Sequence, residues 1–396
     1  MLLPPSLRGL PRETYVLALV AFCVALGFGI VVPAVPLFAL EFGVGTTAAG
    51  AVVSAFALMR LVSGLAAGRL VDRVGERLAL LVGLGIVAVS SLLAGLAVSY
   101  PQLLVLRGLG GVGSAVFTIS STSLLLRVAS SAQRGRTQSI YRGGFLIGGI
   151  IGPAFGGAVI AISIRAPFFL YAGTLLLAMI AAGTLLPKPP PRTAPVAGEA
   201  PPEERTTLTT ALANPAYQAA LAGNFATGFA LFGVRSAVVP LLVVQGLDLA
   251  PVWIGAAFTV GALVQAALLL PAGRAVDELG RRPTLVVGGV VTALALVGLA
   301  AATGPASLLL AMTVFAAGGA LLGVAPAAVV GDVVQGRGGT AIAVWQMSSD
   351  LGAVLGPVVA GLLIDRASFA VALLFSAAVV AVCGLLGLRV PGGPPA

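Results

Sequence analysis

The sequence predicts an all-α polytopic membrane protein whose twelve transmembrane helices fall into two similar halves. Its composition indicates the class: 59% of the 396 residues are hydrophobic, 9% are charged, and the mean hydropathy is +1.10. Soluble globular chains carry about 25% charged residues, so this chain has too little polar surface to face water. A charged motif that recurs at half the chain length indicates the two halves.

Twelve apolar segments are long enough to span a bilayer, which takes about 20 residues in a helix. The first segment is too long for the apolar core of a signal peptide, about 7–15 residues, and we interpret it as an uncleaved span. The 53 glycines suit helices that pack closely in lipid. The predicted spans are residues 15–40, 47–71, 78–98, 102–127, 137–161, 167–186, 217–244, 251–275, 283–302, 306–331, 340–364 and 368–388.

A dense charged motif separates the second predicted span from the third. It consists of Gly68, Asp72, Arg73, Gly75 and Arg77, in the pattern G-x-x-x-D-R-x-G-x-R. A connection this short joins antiparallel neighbours, so we predict a tight hairpin between two helices.

The same motif returns in the second half as Gly273, Asp277, Gly280 and Arg281, with a shift of 273 − 68 = 205 residues. Self-similarity at this period indicates two related halves. We assign residues 1–186 to the N-terminal half, residues 187–212 to a cytoplasmic linker and residues 213–396 to the C-terminal half. The linker is rich in proline, threonine and charge, which favours an extended segment, and a small ordered element is the alternative.

The positive charges fall on one side of the predicted spans. If the N-terminus is cytoplasmic, sixteen Lys and Arg residues of the loops and tails are cytoplasmic, and only Arg165 and Arg366 lie outside. This bias predicts a multi-pass plasma (inner) membrane protein with both termini in the cytoplasm. The net charge of +9 therefore sets topology and can attract anionic lipid, and it does not indicate nucleic-acid binding.

The hairpin motif resembles the loop between the second and third helices of the major facilitator superfamily of membrane transporters. A second motif lies in the fifth predicted span and resembles the G-x-x-x-G-P-x-x-G-G pattern of that superfamily's drug–proton antiporters. It recurs in the eleventh span from Gly352, a shift of 352 − 148 = 204 residues. Generic packing of small residues is the alternative explanation. The fifth-span residues are Gly148, Gly152, Pro153, Gly156 and Gly157.

The resemblance implies two pseudo-symmetric six-helix bundles around a central cavity that opens alternately to either side. It also implies a secondary transporter that exports small compounds in exchange for protons. The 6% of aromatic residues and the few charges within the spans favour hydrophobic or cationic compounds, and we expect a monomer. A proton symporter, a facilitator and a non-transporting membrane sensor remain alternatives. We predict no enzymatic activity, no cofactor and no metal, and the absence of histidine excludes a histidine-built metal site and leaves proton transfer to carboxylates.

Two expectations about the motifs follow from the resemblance. Asp72 is expected to face the cytoplasmic start of the eleventh helix, residues 338–340, as a latch that favours the outward-open state. Gly152 and Gly156 are expected to lie at the interface between the halves, which a bulky side chain there would wedge apart.

Charged residues inside the predicted spans are candidate functional residues, because a charge within a membrane is expensive. Arg142 lies about 9 Å past Arg136 along the helix, within reach of the cytoplasmic surface, and Arg235 is within reach of the outer surface. At 1.5 Å per residue, Arg60 lies about 18 Å from Asp72 and Asp350 about 15 Å into its span. We predict that Arg60 and Asp350 pair across the two halves and couple transport to protons; a static pair is the alternative. The candidates are Arg60, Arg107, Arg142, Arg235 and Asp350.

Arg107 precedes a glycine-rich face in the fourth predicted span. Gly108, Gly110 and Gly113 satisfy G-x-G-x-x-G, but a dinucleotide site needs a preceding strand and an acidic residue about 20 positions further on. An apolar helical segment surrounds this motif and no acid follows before Glu199, so that function is rejected. The family resemblance implies a role for Arg107 in proton coupling. The alternative is a side chain that extends to the membrane surface.

Overall fold

The computed structural model describes residues 10–128, 133–187, 207–334 and 339–391. Throughout these ranges the regular secondary structure is helical, and twelve helices are long and apolar enough to cross a membrane. Each of their bounds lies within three residues of the predicted one. The predicted all-α class and the number of spans are therefore confirmed.

The first six spans are formed by seven helices. Helices α1 and α2 together make the first span, and α3 to α7 make one span each. Their bounds are α1 Arg12–Val31, α2 Ala34–Leu40, α3 Thr46–Val74, α4 Glu76–Gly95, α5 Tyr100–Val128, α6 Arg134–Ile162 and α7 Ala166–Leu185.

The last six spans follow a short helix, α8. The seventh span runs from Pro215 to Gly246 and combines α9 and α10 with two π-helical segments, Gly228–Val234 and Leu242–Gly246. The bounds are α8 Leu208–Ala213, α9 Pro215–Thr227, α10 Arg235–Leu241, α11 Val252–Glu278, α12 Arg281–Ala300, α13 Pro305–Val333, α14 Gly339–Arg366 and α15 Phe369–Leu385.

Prolines shape the first and seventh spans. The first span is interrupted between α1 and α2 at Pro33, which has no backbone N–H to continue the helical ladder. In the seventh span, Pro240 lies in α10 between the two π-helical segments. A π-helical turn accommodates a local disturbance of the ladder without ending the helix.

Both charged motifs end in a helical hairpin with a glycine at the turn. Gly75 is the single residue between α3 and α4, with φ 84°, and Gly280 precedes α12 with φ 98°. This backbone region strongly favours glycine. The hairpins are tighter than we predicted, because Asp72 and Asp277 lie on the last turns of α3 and α11.

Most of the predicted linker, residues 188–206, lies outside the described residues. Its last part forms α8, where the Thr207 side chain accepts a hydrogen bond from the Thr210 N–H at 3.2 Å. A short capped helix thus occupies the C-terminal end of that segment. The domain bounds 1–186, 187–212 and 213–396 stay a prediction.

The described residues form two compact units. Unit 1 comprises residues 10–34, 58–128 and 133–187; unit 2 comprises residues 35–57, 207–334 and 339–391. Residues 35–57, the end of the first span and the start of the second, therefore cluster with the later spans.

The two units are built alike. In unit 1, α1 packs on α6 and α7, while α4 packs on α5 and α7. In unit 2, α9 with the π-helical segment after it packs on α14 and α15, while α12 packs on α13 and α15. Helices at equivalent places in the repeat thus have equivalent neighbours. An apolar core dominated by Ala, Val, Leu and Phe fills unit 2.

Candidate functional site

The fifth-span glycines form a close helix–helix contact inside unit 1. A Cβ atom added to Gly156 would lie 3.0 Å from the Ile30 carbonyl oxygen, and one added to Gly152 would lie 2.9 Å from the Gly29 Cα. Both neighbours belong to α1. We expected this face to lie between the two halves; the structure instead places it between α6 and α1 of one unit.

The same contact exists in unit 2. A Cβ atom added to Gly356 would lie 2.7 Å from the Phe229 carbonyl oxygen and 3.3 Å from the Gly233 Cα. The shifts 356 − 152 = 204 and 233 − 29 = 204 place both glycine pairs at equivalent positions. Small residues at such contacts let two helix backbones approach closely.

Gly113 of the rejected dinucleotide motif serves helix packing. The glycines of that motif lie inside α5, and a Cβ atom on Gly113 would lie 2.8 Å from the Gly83 carbonyl oxygen of α4. In unit 2, Gly318 of α13 contacts Thr292 of α12 in the same way, with 318 − 113 = 205.

Arg107 is buried in unit 1. Its exposed fraction is 4%, and it interacts electrostatically with the fully buried Tyr171 of α7. Tyr171 in turn makes an edge contact with Phe28 of α1, with 6.3 Å between ring centroids. The alternative that Arg107 extends to the membrane surface is therefore wrong. Its predicted part in proton coupling stays a prediction.

Arg235 lies against an aromatic ring in unit 2. Its guanidinium carbon lies 5.4 Å from the centroid of the Phe258 ring of α11, and its Nε is buried without a hydrogen-bond partner among the described residues. The position of this side chain relative to the outer membrane surface stays a prediction.

The remaining charged candidates differ in solvent exposure. Arg142 is exposed on α6, whereas Arg60 of α3 and Asp350 of α14 are half-buried. Asp350 lies 350 − 339 = 11 residues into α14, about 16 Å along the helix. Every other carboxylate of the described residues lies within three residues of a helix end or in a loop. The pairing of Arg60 with Asp350 stays a prediction.

An ion pair in each unit joins the start of one helix to the end of the next. In unit 1, Arg127 Nη1 lies 2.9 Å from Glu76 Oε2; in unit 2, Arg281 Nε lies 2.8 Å from Asp332 Oδ2. The positions are equivalent, since 281 − 76 = 205 and 332 − 127 = 205, but the signs are exchanged. The sequence motif included Arg281 without its partner and left out Glu76. The sequence signal that could have found these pairs is that both positions carry a charge in each half, at a shift of 205 residues and with opposite signs.

Reversal of one charge in the unit 1 pair is expected to destabilise that unit. Glu76→Arg places two positive charges together, and we expect a loss of about 1–3 kcal/mol, less than for a fully buried pair because Arg127 is partly exposed. The double variant Glu76→Arg, Arg127→Glu should regain most of the loss. Thermal unfolding in detergent measures both. Equal midpoints for the single and double variants would show that the pair is energetically silent.

Asp365 links the ends of α3 and α14 within unit 2. Its carboxylate accepts hydrogen bonds from the N–H groups of Thr46 and Thr47, both at 2.8 Å, and from their hydroxyls at 2.7 and 2.6 Å. These N–H groups belong to the first turn of α3, which lacks partners inside its own helix. Asp365 therefore caps α3 from another helix, a role that the sequence pattern gave no reason to assign.

Further contacts continue this link towards the middle of the helices. The Ser54 hydroxyl donates to the Val354 carbonyl oxygen at 2.6 Å. The Thr46 hydroxyl lies 2.9 Å from the Gly361 carbonyl oxygen and shares its single proton between that oxygen and Asp365. A Cβ atom on Gly361 would lie 2.8 Å from the Thr47 Cα. We call Thr46, Thr47 and Asp365 the α3–α14 clasp.

Asp365→Asn is expected to loosen the clasp. An amide keeps one acceptor oxygen and turns its NH₂ group towards donors, so about half of the four bonds are lost. A lost helix cap costs about 1 kcal/mol, a roughly fivefold population change. Distances between spin labels at the exposed positions Glu41 and Ala367 should shift towards longer values. Asp248→Asn is the matched control, and identical distributions in both variants would contradict the prediction.

Other predicted features have no structural test. The segment expected to face Asp72, residues 338–340, begins outside the described residues, so the Asp72 latch stays a prediction. Within the described ranges, no group of three His, Cys, Asp or Glu side chains is placed to hold a metal ion.

Comparison with known proteins places the chain in a family. The profile of the Major Facilitator Superfamily matches residues 17–252 and 220–396. Multidrug resistance protein 1 of Bacillus subtilis (strain 168) is 33% identical over 159 residues, 40% of this chain and 41% of that protein. Quinolone resistance protein NorA of Staphylococcus aureus (strain MRSA252) is 30% identical over 183 residues, 45% of this chain and 46% of that protein. Both matches span less than half of the relative.

Solved structures share the fold at low sequence identity. A bacterial homolog of the human lysosomal transporter Spinster, in an inward-facing and occupied conformation, gives a TM-score of 0.76 at 15% identity and covers 95% of both chains. A POT family transporter in complex with 5-aminolevulinic acid gives 0.75 at 13% identity and covers 96% of both chains. The profile match, the twelve spans and the repeated architecture lead to one conclusion: this chain belongs to the major facilitator superfamily of membrane transporters.

Proposed function

We propose that the protein is a proton-coupled exporter that moves small, amphipathic compounds out of the cell by alternating access. Asp350 is the observation on which proton coupling rests, because it is the one carboxylate of the described residues far from any helix end. An ionisable group at such depth is a functional candidate by default, and a carboxylate can take up and release a proton. The names of the two bacterial relatives, which refer to multidrug and quinolone resistance, support export.

The alternating-access step needs helix contacts that stay together and others that break. The glycine contacts between α1 and α6 and between α14 and the seventh span are too close for water or side chains to enter. They suit parts of the molecule that move as rigid bodies. The α3–α14 clasp consists of side-chain hydrogen bonds at an exposed end, and it suits a contact that opens and closes.

The direction of proton movement tests this function. Purified protein is reconstituted in vesicles that hold a trapped pH dye, with equal pH on both sides, and a panel of fluorescent amphiphiles is added outside. Antiport moves protons outwards as the compound enters, so the lumen should become alkaline. Protein-free vesicles control for passive permeation. An acidified lumen would indicate symport instead, and compound entry without a pH change would indicate a facilitator.

A further inference from the structure

Arg235 lies deep in the seventh span. It is 20 residues from Pro215 and 11 residues from Gly246, about 30 Å and about 16 Å along the helix. It directly follows the π-helical segment Gly228–Val234. Irregular turns of this kind occur frequently at functional sites in membrane and soluble helices.

The surroundings of Arg235 are apolar. Leu231, Val238 and Val239, which share its face of the helix, are all at most 3% exposed. Across from them, the Phe258 ring faces the guanidinium group. The ring stabilises the cation through its π face, but it accepts no hydrogen bond from the five N–H donors that lie in the guanidinium plane.

The described residues do not neutralise this charge. No carboxylate among them lies within 4.0 Å of the Arg235 nitrogens, and Nε is buried without an acceptor. An arginine stays ionised in proteins, so the positive charge and its donor edge persist. The residue as a whole is half-buried, so it keeps solvent-accessible surface that a ligand could meet.

We propose that Arg235 and Phe258 form a subsite for the carboxylate of an amphipathic substrate. The guanidinium edge would bind the carboxylate in the bidentate manner that such pairs favour, and the apolar neighbours would hold the body of the compound. This inference rests on the proposed transport function and specifies its substrate class. It predicts preference for an amphiphile that carries a carboxylate over an otherwise identical cation.

Rhodamine B and its ethyl ester test the subsite, because they differ only in a free carboxylate. Binding is measured by fluorescence anisotropy with the full chain in nanodiscs of uncharged phosphatidylcholine. Wild type should bind the acid about tenfold more tightly than the ester, and Arg235→Gln should remove this preference while changing ester affinity by no more than about twofold. Arg235→Lys should keep part of the preference, since it retains the charge and loses the planar fork.

Three outcomes would overturn the subsite. Wild type without a preference for the acid is the first. The second is an equal loss of affinity for acid and ester in Arg235→Gln, which would show a structural role. The third is displacement of rhodamine B by added phosphatidylglycerol, which would make an anionic lipid the occupant. Binding needs no pH gradient, so a clear preference without proton movement would reject the antiporter and retain the subsite. Proton movement without a preference for the acid would retain the antiporter and reject the subsite.

Discussion

Asp350→Asn is expected to abolish proton-driven accumulation of substrate and to leave its downhill exchange intact. The amide is nearly the same size as the carboxylate, so the packing of α14 is preserved, but it binds no proton in the relevant pH range. The remaining carboxylates of the described helices lie near helix ends. We therefore do not expect them to replace a group that exchanges its proton in the middle of a span.

Two assays on the same vesicles separate coupling from movement. Accumulation under an imposed pH gradient should fall to the equilibrium level in Asp350→Asn, while exchange of labelled for unlabelled substrate continues at a comparable rate. Glu41→Gln removes an exposed carboxyl group after α2 and serves as the matched control. Uphill accumulation in Asp350→Asn at the wild-type level would show that protons are coupled elsewhere.

Gly152→Leu is expected to reduce transport by at least about tenfold, because the close contact of α6 with α1 has no room for a side chain. Overpacking of a filled interface typically costs about 1–3 kcal/mol, and a displaced backbone adds to it. The carbonyl oxygen of Leu26 and the Cα of Gly29 both lie against the missing side chain. The defect should appear within unit 1, as a separation of α1 from α6.

Gly149→Leu is the matched control on the same helix. A Cβ atom on Gly149 meets no described atom within 4 Å, although the residue is only three positions from Gly152. We expect this variant to insert, unfold and transport much like wild type. Both variants keep the span apolar, so membrane insertion and part of the substrate binding should survive in Gly152→Leu. Equal transport rates in the two variants would refute the packing explanation.

The fold was predictable because the strongest sequence signals, long apolar runs and repeated motifs, extend over many residues. Apolar runs of bilayer length place each span to within three residues. The recurring hairpin and glycine motifs reveal the two halves, since a shift of 204 or 205 residues is improbable by chance. Gly75 and Gly280 occupy equivalent places in the two motifs, and both have a positive φ.

The side-chain contacts were less predictable, because they depend on which helices become neighbours. Asp365 is 318 residues from Thr47, and no local pattern connects them. The position of Arg235 along its helix carries no information about the Phe258 ring on α11. The glycine face of α6 was assigned to the wrong neighbour for the same reason: periodicity identifies a smooth face and not what covers it.

The exchanged signs of the two ion pairs affect which helices can associate while a chain with two similar halves folds. The α4–α5 and α12–α13 pairs are similar enough that α4 could associate with α13. In that arrangement Glu76 would meet Asp332, and Arg281 would meet Arg127, so both contacts would be repulsive. Related domains in one chain are prone to misassembly. Opposite polarity at one repeated position would therefore disfavour an exchange of helices between the halves during folding.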